Sequence, residues 1–316
     1  MPRLSIIIPV LGDCAPLEDT LVSVLANRPE SCEVIVALRQ PYADPYNIKD
    51  EVIFALASPR ASLAGVINAG IALARAPILH TLACGLEVTP GWTEEALAAF
   101  AEDAVGAVAP LVLEPEPSQR IAFAGFRYTA GGAWKAVGRS RRIDRGLCGS
   151  AHAAPDASAA FYRTAALEAV GGFDESLGAM CGADAALKLR QVGFRSALAA
   201  ESKVRRAVAL PLDSEMARGC TAETLFWRWA PLDGWRRALL AHAAMLVGEA
   251  VLCPFRPSIT LRLMGRFAAM LGAFRQKRHW ESLAESMQPL AANFECPTCG
   301  ESEAPIEVQH ARRRAS

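Results

Sequence analysis

Short apolar runs rich in β-branched residues alternate with helix-like segments along the first part of the chain. Periodic apolar positions predict three helices, at Leu17–Leu25, Ala61–Ala74 and Thr93–Phe100. Such alternation predicts a doubly wound α/β domain with a mainly parallel sheet flanked by helices. The apolar runs that predict its buried strands are Leu4–Val10, Cys32–Leu38, Val52–Ala57, Ile78–Leu82 and Val105–Leu113.

A second group of elements follows, and then the character of the sequence changes. The pattern predicts strands at Ala157–Tyr162 and Phe194–Ala200 and helices at Thr164–Val170 and Asp184–Val192. From about Ser214 the spacing is helical. We therefore expect an α/β domain over residues 1–213, a helical extension over 214–290 and a tail over 291–316. Ligands of doubly wound sheets bind at the carboxyl ends of the strands, so the expected site loops follow Val10, Val36 and Leu82.

Composition narrows the class of protein. The 316 residues include 52% hydrophobic residues, which indicates a globular chain. The 33 basic and 33 acidic residues cancel, so a nucleic-acid footprint over the whole chain is not supported. The N-terminus runs from Met1 directly into a strand-like segment without a secretory pattern, and we expect a cytoplasmic protein with mostly free thiols.

Six phrases in a fixed order carry a resemblance to a known family. The most specific is GGFDE within Ser158–Leu177, followed by LKLRQVGFR within Asp184–Arg195. Together the phrases resemble glycosyltransferase family 2, which implies a GT-A fold, a nucleotide-sugar donor, a divalent Mg²⁺ or Mn²⁺ ion and sugar transfer with inversion. The implied acceptor is a glycan or a lipid-linked molecule, as in cell-envelope polysaccharide synthesis. The other four phrases lie within Ser5–Val10, Cys32–Leu38, Ile67–Leu79 and Leu86–Trp92.

The implied reaction needs acids that this sequence has replaced. A cation held by carboxylates would neutralise the leaving diphosphate, and a base would take the proton of the acceptor hydroxyl. The metal-binding D-x-D aligns with Ala83-Cys84-Gly85, and the acidic pair aligns with Cys181-Gly182. The acid after the second strand aligns with Leu38, and a late histidine aligns with Arg206.

Some candidates for the site remain. For catalysis they are Asp184 and Glu87. Each has a structural alternative: Asp184 suits the first turn of a helix, and Glu87 suits a solvated loop. The donor-site positions that the resemblance implies are Pro9, Asp13, Leu38, Asn68, Ala83, Gly85, Arg163 and Arg190. Asp13 could instead cap a helix, and Asn68 could satisfy backbone groups in its turn.

The C-terminal region offers two further features. Cys296 and Cys299 form a CxxC knuckle, half of a zinc site that needs four ligands, and the alternative is a disordered tail. A basic amphipathic stretch follows Pro254, from Arg256 to Arg278, which could lie on an anionic membrane surface, on the inner face of the membrane. The alternative is a helical pair that packs on the α/β domain. Ala238–Cys253 is largely apolar, but it is too short and too interrupted by charge to predict a membrane-spanning helix.

Three functions therefore stay open at this point. The first is a glycosyltransferase that works with displaced acids. The second is a catalytically inactive relative that binds a glycan, a nucleotide or a protein, such as a partner glycosyltransferase. The third is a scaffold built on the C-terminal helices and the CxxC knuckle.

Overall fold

A computed structural model describes residues 2–12, 15–45, 47–143, 154–207, 214–230 and 234–272. Its strands are β1 (Leu4–Val10), β2 (Cys32–Leu38), β3 (Ile53–Leu56), β4 (Ile78–Leu82), β5 (Leu86–Val88), β6 (Val105–Leu113), β7 (Ile121–Phe123), β8 (Phe126–Tyr128), β9 (Trp134–Ala136), β10 (Ala159–Arg163) and β11 (Arg195–Arg206). Its helices are α1 (Ala15–Ala26), α2 (Leu63–Ile71), α3 (Glu94–Ala99), α4 (Thr164–Ala169), α5 (Cys181–Gln191), α6 (Glu215–Trp229), α7 (Trp235–Leu252) and α8 (Pro257–Met270).

One large mixed sheet organises these elements. Its strand order is β3-β2-β1-β4-β10-β6-β11-β5, with β7 beside β6, while β8 and β9 form a separate hairpin. The β3-β2-β1-β4 half is parallel, and β6 is parallel to β11. Strands β10 and β5 are antiparallel to their neighbours. The mainly parallel α/β architecture expected from the sequence is confirmed, and the carboxyl ends of β1, β2, β4, β6 and β11 share one edge, the carboxyl edge.

The continuous apolar runs reflect helices on both faces of the sheet. Along β1, Ile6 and Ile8 pack into one core cluster with residues of α1 and α3, while Ile7 packs into a second cluster with α2, α4 and α5. Every residue of β1 is buried, which explains why the strand shows no polar alternation. Helix α2 lies so close that a Cβ on Gly70 would be 2.5 Å from the side chain of Ile7.

A buried carboxylate fixes the opposite, amino edge of the sheet. Glu33 on β2 accepts hydrogen bonds from Ser5 Oγ at 2.6 Å and from the Arg75 backbone N–H at 2.7 Å. Burial by itself would raise the pKa of Glu33, but the hydrogen bonds from Ser5 and Arg75 outweigh it and lower the pKa. The Ala76 N–H donates to Ser5 Oγ, so this carboxylate ties β1, β2 and the segment before β4 together.

Strand β11 is longer than the sequence pattern predicts. It continues to Arg206 instead of ending at Ala200, with a register shift against β6 between Ala199 and Lys203. After the shift the strand pairs with β6 on one side and with β5 on the other. The Ser202 hydroxyl inside this irregular stretch donates to the Trp92 carbonyl. Polar residues at this irregularity interrupt the apolar period, which is why the sequence pattern predicts a shorter strand.

The C-terminal helices pack on the α/β domain and on each other. Leu225 and Trp229 of α6 belong to the core cluster under α2 and α5. Helices α6 and α8 meet backbone to backbone: a Cβ on Gly219 or on Gly265 would lie 1.9 Å from a carbonyl oxygen of the other helix. Glycine at both positions permits this approach. The domain boundaries expected from the sequence stay a prediction.

Candidate functional site

The loop Ala83–Gly85 lies at the carboxyl edge and is held by three neighbours. The Ala83 N–H donates to the Ser158 carbonyl at 2.7 Å, and the Cys84 thiol donates to the Pro9 carbonyl at 3.4 Å. The Gly85 N–H donates to Thr20 Oγ1 at 2.9 Å. The structure thus brings together Pro9, Ala83 and Gly85, three of the expected donor-site positions.

This loop does not fit a divalent cation. Its three residues offer no carboxylate, and the thiol of Cys84 is a poor ligand for Mg²⁺. Within the described parts of the chain, no group of three or more His, Cys, Asp or Glu side chains is placed to hold a metal. Gly85 adopts φ +84°, a conformation that glycine adopts without strain, and its carbonyl accepts a hydrogen bond from Ala207.

Two arginines lie at the same edge. Arg39 follows Leu38 directly, and its Nη1 donates to the Leu11 carbonyl at 3.0 Å. Its buried Nε makes no hydrogen bond, and no ion pair with a carboxylate is found for it among the residues that the structure describes. Arg206 ends β11 next to Ala207, with a guanidinium nitrogen 3.7 Å from Glu114. Of the two, Arg39 is the positive charge without a carboxylate partner in the described part of the chain, and such a charge favours an anionic ligand.

Asp156 is a carboxylate that the sequence analysis missed. It precedes β10 and accepts hydrogen bonds from the N–H and the hydroxyl of Ser158. The first turn of α5 packs on this segment, because a Cβ on Gly182 would lie 2.6 Å from the Ala157 nitrogen. Burial raises the pKa of Asp156, opposed by the hydrogen bonds from Ser158.

Burial and two nearby carboxylates determine the protonation of Cys181. Burial raises the pKa of the Cys181 thiol, and the negative charges of Asp156 and Asp184 raise it further. Cys181 therefore stays a neutral thiol where the family resemblance aligns an acid. The nearby acid instead comes from the strand start at Asp156. The sequence shows an acid just before a predicted strand, but the direction of that strand decides at which edge of the sheet the acid lies. Because β10 is antiparallel to β4, its first residue lies at the carboxyl edge.

Asp184 is buried inside an ion cluster and does not face the carboxyl edge as a free acid. Its Oδ1 accepts hydrogen bonds from Arg228 at 3.0 Å and from the Trp229 indole at 2.9 Å. The Lys188 ammonium lies 3.0 Å from its other oxygen, Oδ2. Arg228 also donates to Asp174 at 2.8 Å. This cluster joins α5 and α6 to the turn that contains Asp174. Asp184 lies in the first turn of α5, but its partners are the side chains of the cluster.

The structure places the other side chains expected at the site on different elements. Glu87 is on β5, opposite Arg205, and no contact joins it to Asp184 in the described residues. The Asn68 amide donates to the Phe173 carbonyl at 2.8 Å, and its oxygen accepts from the Phe173 N–H. Asn68 thereby fixes the loop after Gly171-Gly172.

Two arginines expected at the donor site lie away from the loop Ala83–Gly85. Because β10 is antiparallel to β4, Arg163 pairs with Ile78 at the amino edge and donates to the Phe100 carbonyl at 3.0 Å. There it lines a cavity of about 820 Å³. Arg190 is exposed at the other end of α5 and lines a cavity of about 500 Å³ beside Trp229. Strand direction and helix length therefore separate both side chains from the loop Ala83–Gly85, and their part in donor binding stays a prediction.

Three of the expected ligands cannot be placed. Asp13, Cys296 and Cys299 lie outside the described residues. The zinc knuckle and the partner glycosyltransferase stay predictions.

Comparison with known proteins identifies the lineage. Residues 5–169 match the family described as Glycosyl transferase family 2, while no curated protein matches the sequence. The fold is similar to a structure of GalNAc-T7 with UDP, GalNAc and Mn²⁺, at 15% identity and a TM-score of 0.54 over 71% of this chain. This chain covers 48% of that one, about half its length. It is also similar to the mannosyltransferase PcManGT from Pyrobaculum calidifontis in complex with GDP-Man and Mn²⁺, at 16% identity and a TM-score of 0.50 over 92% of this chain and 86% of that one. At these identities the two structures show the fold, which is of the GT-A type.

The buried ion cluster predicts a large stability effect at Asp184. Asp184→Asn removes the negative charge that faces Arg228 and Lys188, and we expect the free energy of unfolding to fall by about 3 kcal/mol or more. Urea denaturation measures this change. Glu51→Gln, which breaks the exposed pair of Glu51 with Arg28, is the control and should cost less than about 1 kcal/mol. Equal effects of the two variants would contradict a structural role for Asp184.

The same cluster predicts loss of stability in acid. Burial would raise the pKa of Asp174, but hydrogen bonds from Ser176 and the charge of Arg228 lower it from 3.8 to about 2. Because the folded-state pKa is depressed, the contribution is present above about pH 4 and is lost as the pH falls through 2. Between pH 5 and 2 we expect Asp174 to account for about 2 kcal/mol of lost stability.

Urea denaturation at a series of pH values measures this acid effect. Asp174→Asn should flatten the pH dependence of the unfolding free energy. Asp50→Asn, at an exposed residue, should leave the dependence as in the parent chain. An unchanged slope in the Asp174 variant would show that the carboxylate titrates at the same pH in both states.

Proposed function

Because this chain belongs to glycosyl transferase family 2, we propose that it binds a nucleotide-sugar through arginine side chains at the carboxyl edge, without a divalent cation. The observation that carries the proposal is Arg39, a cation without a carboxylate partner among the described residues. It directly follows Leu38, where the family resemblance aligns an acid.

Electrostatics supports this form of donor binding. A diphosphate is an anion, and a site of two carboxylates would repel it unless a metal ion lay between them. Here Ala83 and Gly85 occupy the two acidic positions of D-x-D, so the loop itself does not repel a diphosphate. A guanidinium forms paired, charge-assisted hydrogen bonds with phosphate oxygens, and Arg39 places one at this edge of the sheet. Arg206 supplies a second cation at the same edge.

The fold neighbours support the class of ligand. One was solved with UDP and the other with GDP-Man, both with Mn²⁺. We carry over to this chain a nucleoside diphosphate as the shared part of the ligand. We do not carry over the ion, because the loop Ala83–Gly85 lacks the oxygens that a hard cation requires.

Donor binding predicts an effect of Arg39→Ala on affinity. Hydrogen bonds to charged groups contribute about 1.5–3 kcal/mol, so Kd for UDP or GDP should rise about 10-fold or more. Isothermal titration calorimetry with UDP, GDP and their sugar conjugates, each with EDTA or with Mn²⁺, measures this.

Arg3→Ala is the matched control for that experiment. Arg3 is exposed at the amino edge, on the far side of the sheet, and its removal should leave Kd unchanged. Binding that requires Mn²⁺, or an equal loss in both variants, would overturn the proposed mode. The absence of binding to any nucleotide would overturn the proposed function.

Sugar transfer is the second candidate, and Asp156 is the observation that favours it. In this reaction the acceptor oxygen forms a bond to the anomeric carbon while the bond from that carbon to the diphosphate breaks. The acceptor proton would pass to the Asp156 carboxylate, whose raised pKa suits a proton acceptor. Attack opposite the leaving group would invert the anomeric centre. The acceptor would be a glycan or a lipid-linked molecule.

A conservative variant tests this role. Asp156→Asn retains an oxygen that can accept from Ser158, so the turn before β10 is kept while the proton acceptor is lost. If Asp156 is the base, kcat should fall about 10²- to 10⁴-fold with little change in donor Kd. The measurement is release of nucleoside diphosphate from nucleotide-sugars. No turnover by the parent chain, or full turnover by the variant, would exclude this mechanism.

A further inference from the structure

Large apolar side chains are exposed mainly on the last two described helices. Of fifteen exposed large hydrophobic residues in the described parts of the chain, eleven lie between Trp235 and Leu271. The five most exposed of the eleven are Leu240 at 75%, Val251 at 64%, Phe255 at 79%, Phe267 at 64% and Leu271 at 90%. We call the exposed side chains of α7, of the 3-10 turn Cys253–Phe255 and of α8 through Leu271 the α7–α8 face.

The exposed charged residues of this segment are all basic. Arg236, Arg237 and Arg256 are exposed, and α8 contains no acidic residue. The single acid of α7, Glu249, accepts a hydrogen bond from Arg266 at 3.1 Å and is thereby neutralised. An apolar face with arginines at its ends is complementary to an anionic lipid surface.

Buried contacts hold α7 against the protein body. His242 is buried at the middle of the helix, with Nδ1 2.8 Å from the Gly131 carbonyl and Nε2 3.0 Å from Glu223. Its ring stacks on Phe226 at a centroid distance of 3.7 Å. Arg266 of α8 donates to the same Glu223 carboxylate at 3.1 Å. These contacts join α6, α7 and α8 on the side opposite the exposed apolar residues.

By length and composition, Trp235–Phe255 is the one helical stretch among the described residues that could cross a membrane. A spanning orientation would separate His242 from Gly131 and Glu223 and leave polar groups unpaired in hydrocarbon. Lying in the plane of a membrane surface keeps those bonds and covers the apolar side chains.

We propose that the α7–α8 face binds the surface of an anionic lipid bilayer, with both helices lying in the plane of the membrane. Exposed leucine and phenylalanine side chains enter the boundary between headgroups and acyl chains, while Arg236, Arg237 and Arg256 contact anionic headgroups. A second copy of the chain fits less well, because self-association would bring arginine-rich faces together. This inference does not depend on donor binding at the carboxyl edge.

Sedimentation with lipid vesicles tests the proposal on the full chain. We expect binding to vesicles of phosphatidylcholine with about one third phosphatidylglycerol, and at least fivefold weaker binding to pure phosphatidylcholine. Raising the ionic strength should weaken the binding. The double variant Phe255→Ser/Phe267→Ser should reduce the partition coefficient at least tenfold, since both side chains are exposed and belong to the face.

Val22→Ser/Leu56→Ser is the matched control, because these two apolar residues are 68% and 63% exposed elsewhere on the chain. It should bind vesicles like the parent protein. Unchanged thermal unfolding and nucleotide affinity in both double variants would show that fold and donor site are intact. Equal vesicle binding by the two double variants would overturn the proposal.

Two other outcomes also decide against the proposal. Dimerisation without vesicle binding, abolished by Phe255→Ser/Phe267→Ser, would assign the face to a second copy of the chain. Retention in vesicles after alkaline carbonate washing would indicate a spanning helix instead of a surface helix. A loss of nucleotide binding with intact vesicle binding would affect only the donor-site proposal.

Discussion

The buried ion pair between Asp184 and Arg228 is the constraint on which the arrangement of the protein depends. Both side chains are almost inaccessible to water, and their charges are balanced within the cluster by Lys188 and Asp174. Removing one partner from such a cluster leaves a buried charge without compensation, which is far more costly than losing a surface pair. The pair fixes α6 against α5, and α6 in turn supports α7 and α8.

This constraint changes how the site is interpreted. An acid at the start of α5 resembles a catalytic residue in the sequence, yet here Asp184 is bonded to Arg228 and Trp229. The carboxyl edge instead carries Arg39 and, from a different strand, Asp156. A site with these groups is better suited to holding an anion directly than to holding it through a metal ion. The chain retains the GT-A scaffold. The charges at its carboxyl edge differ from those of a site in which carboxylates bind a metal ion.

A second buried cluster organises the C-terminal helices. Glu223 pairs with Arg266 and contacts His242, so three helices share one carboxylate. Burial opposes the charge of Glu223, but His242 and Arg266 outweigh it and lower the pKa of its carboxyl. The polar contacts of α7 and α8 are thereby directed inward, while most of their large apolar side chains are exposed. That inversion of the usual pattern is what makes the α7–α8 face a candidate for lipid contact.

The sequence by itself determined the scaffold. The runs at Leu4–Val10 and Cys32–Leu38 and the phrase around Gly171-Gly172 sufficed for strands, helices and family, because periodic burial leaves a direct trace in residue type. It also showed that the loop Ala83–Gly85 has no acid. Only the tertiary structure decided which charges meet. Because β10 is antiparallel to β4, Arg163 lies at the amino edge and Asp156 at the carboxyl edge. The packing of α6 on α5 buries Asp184. Strand direction and helix docking depend on contacts distant in sequence, which local patterns do not record.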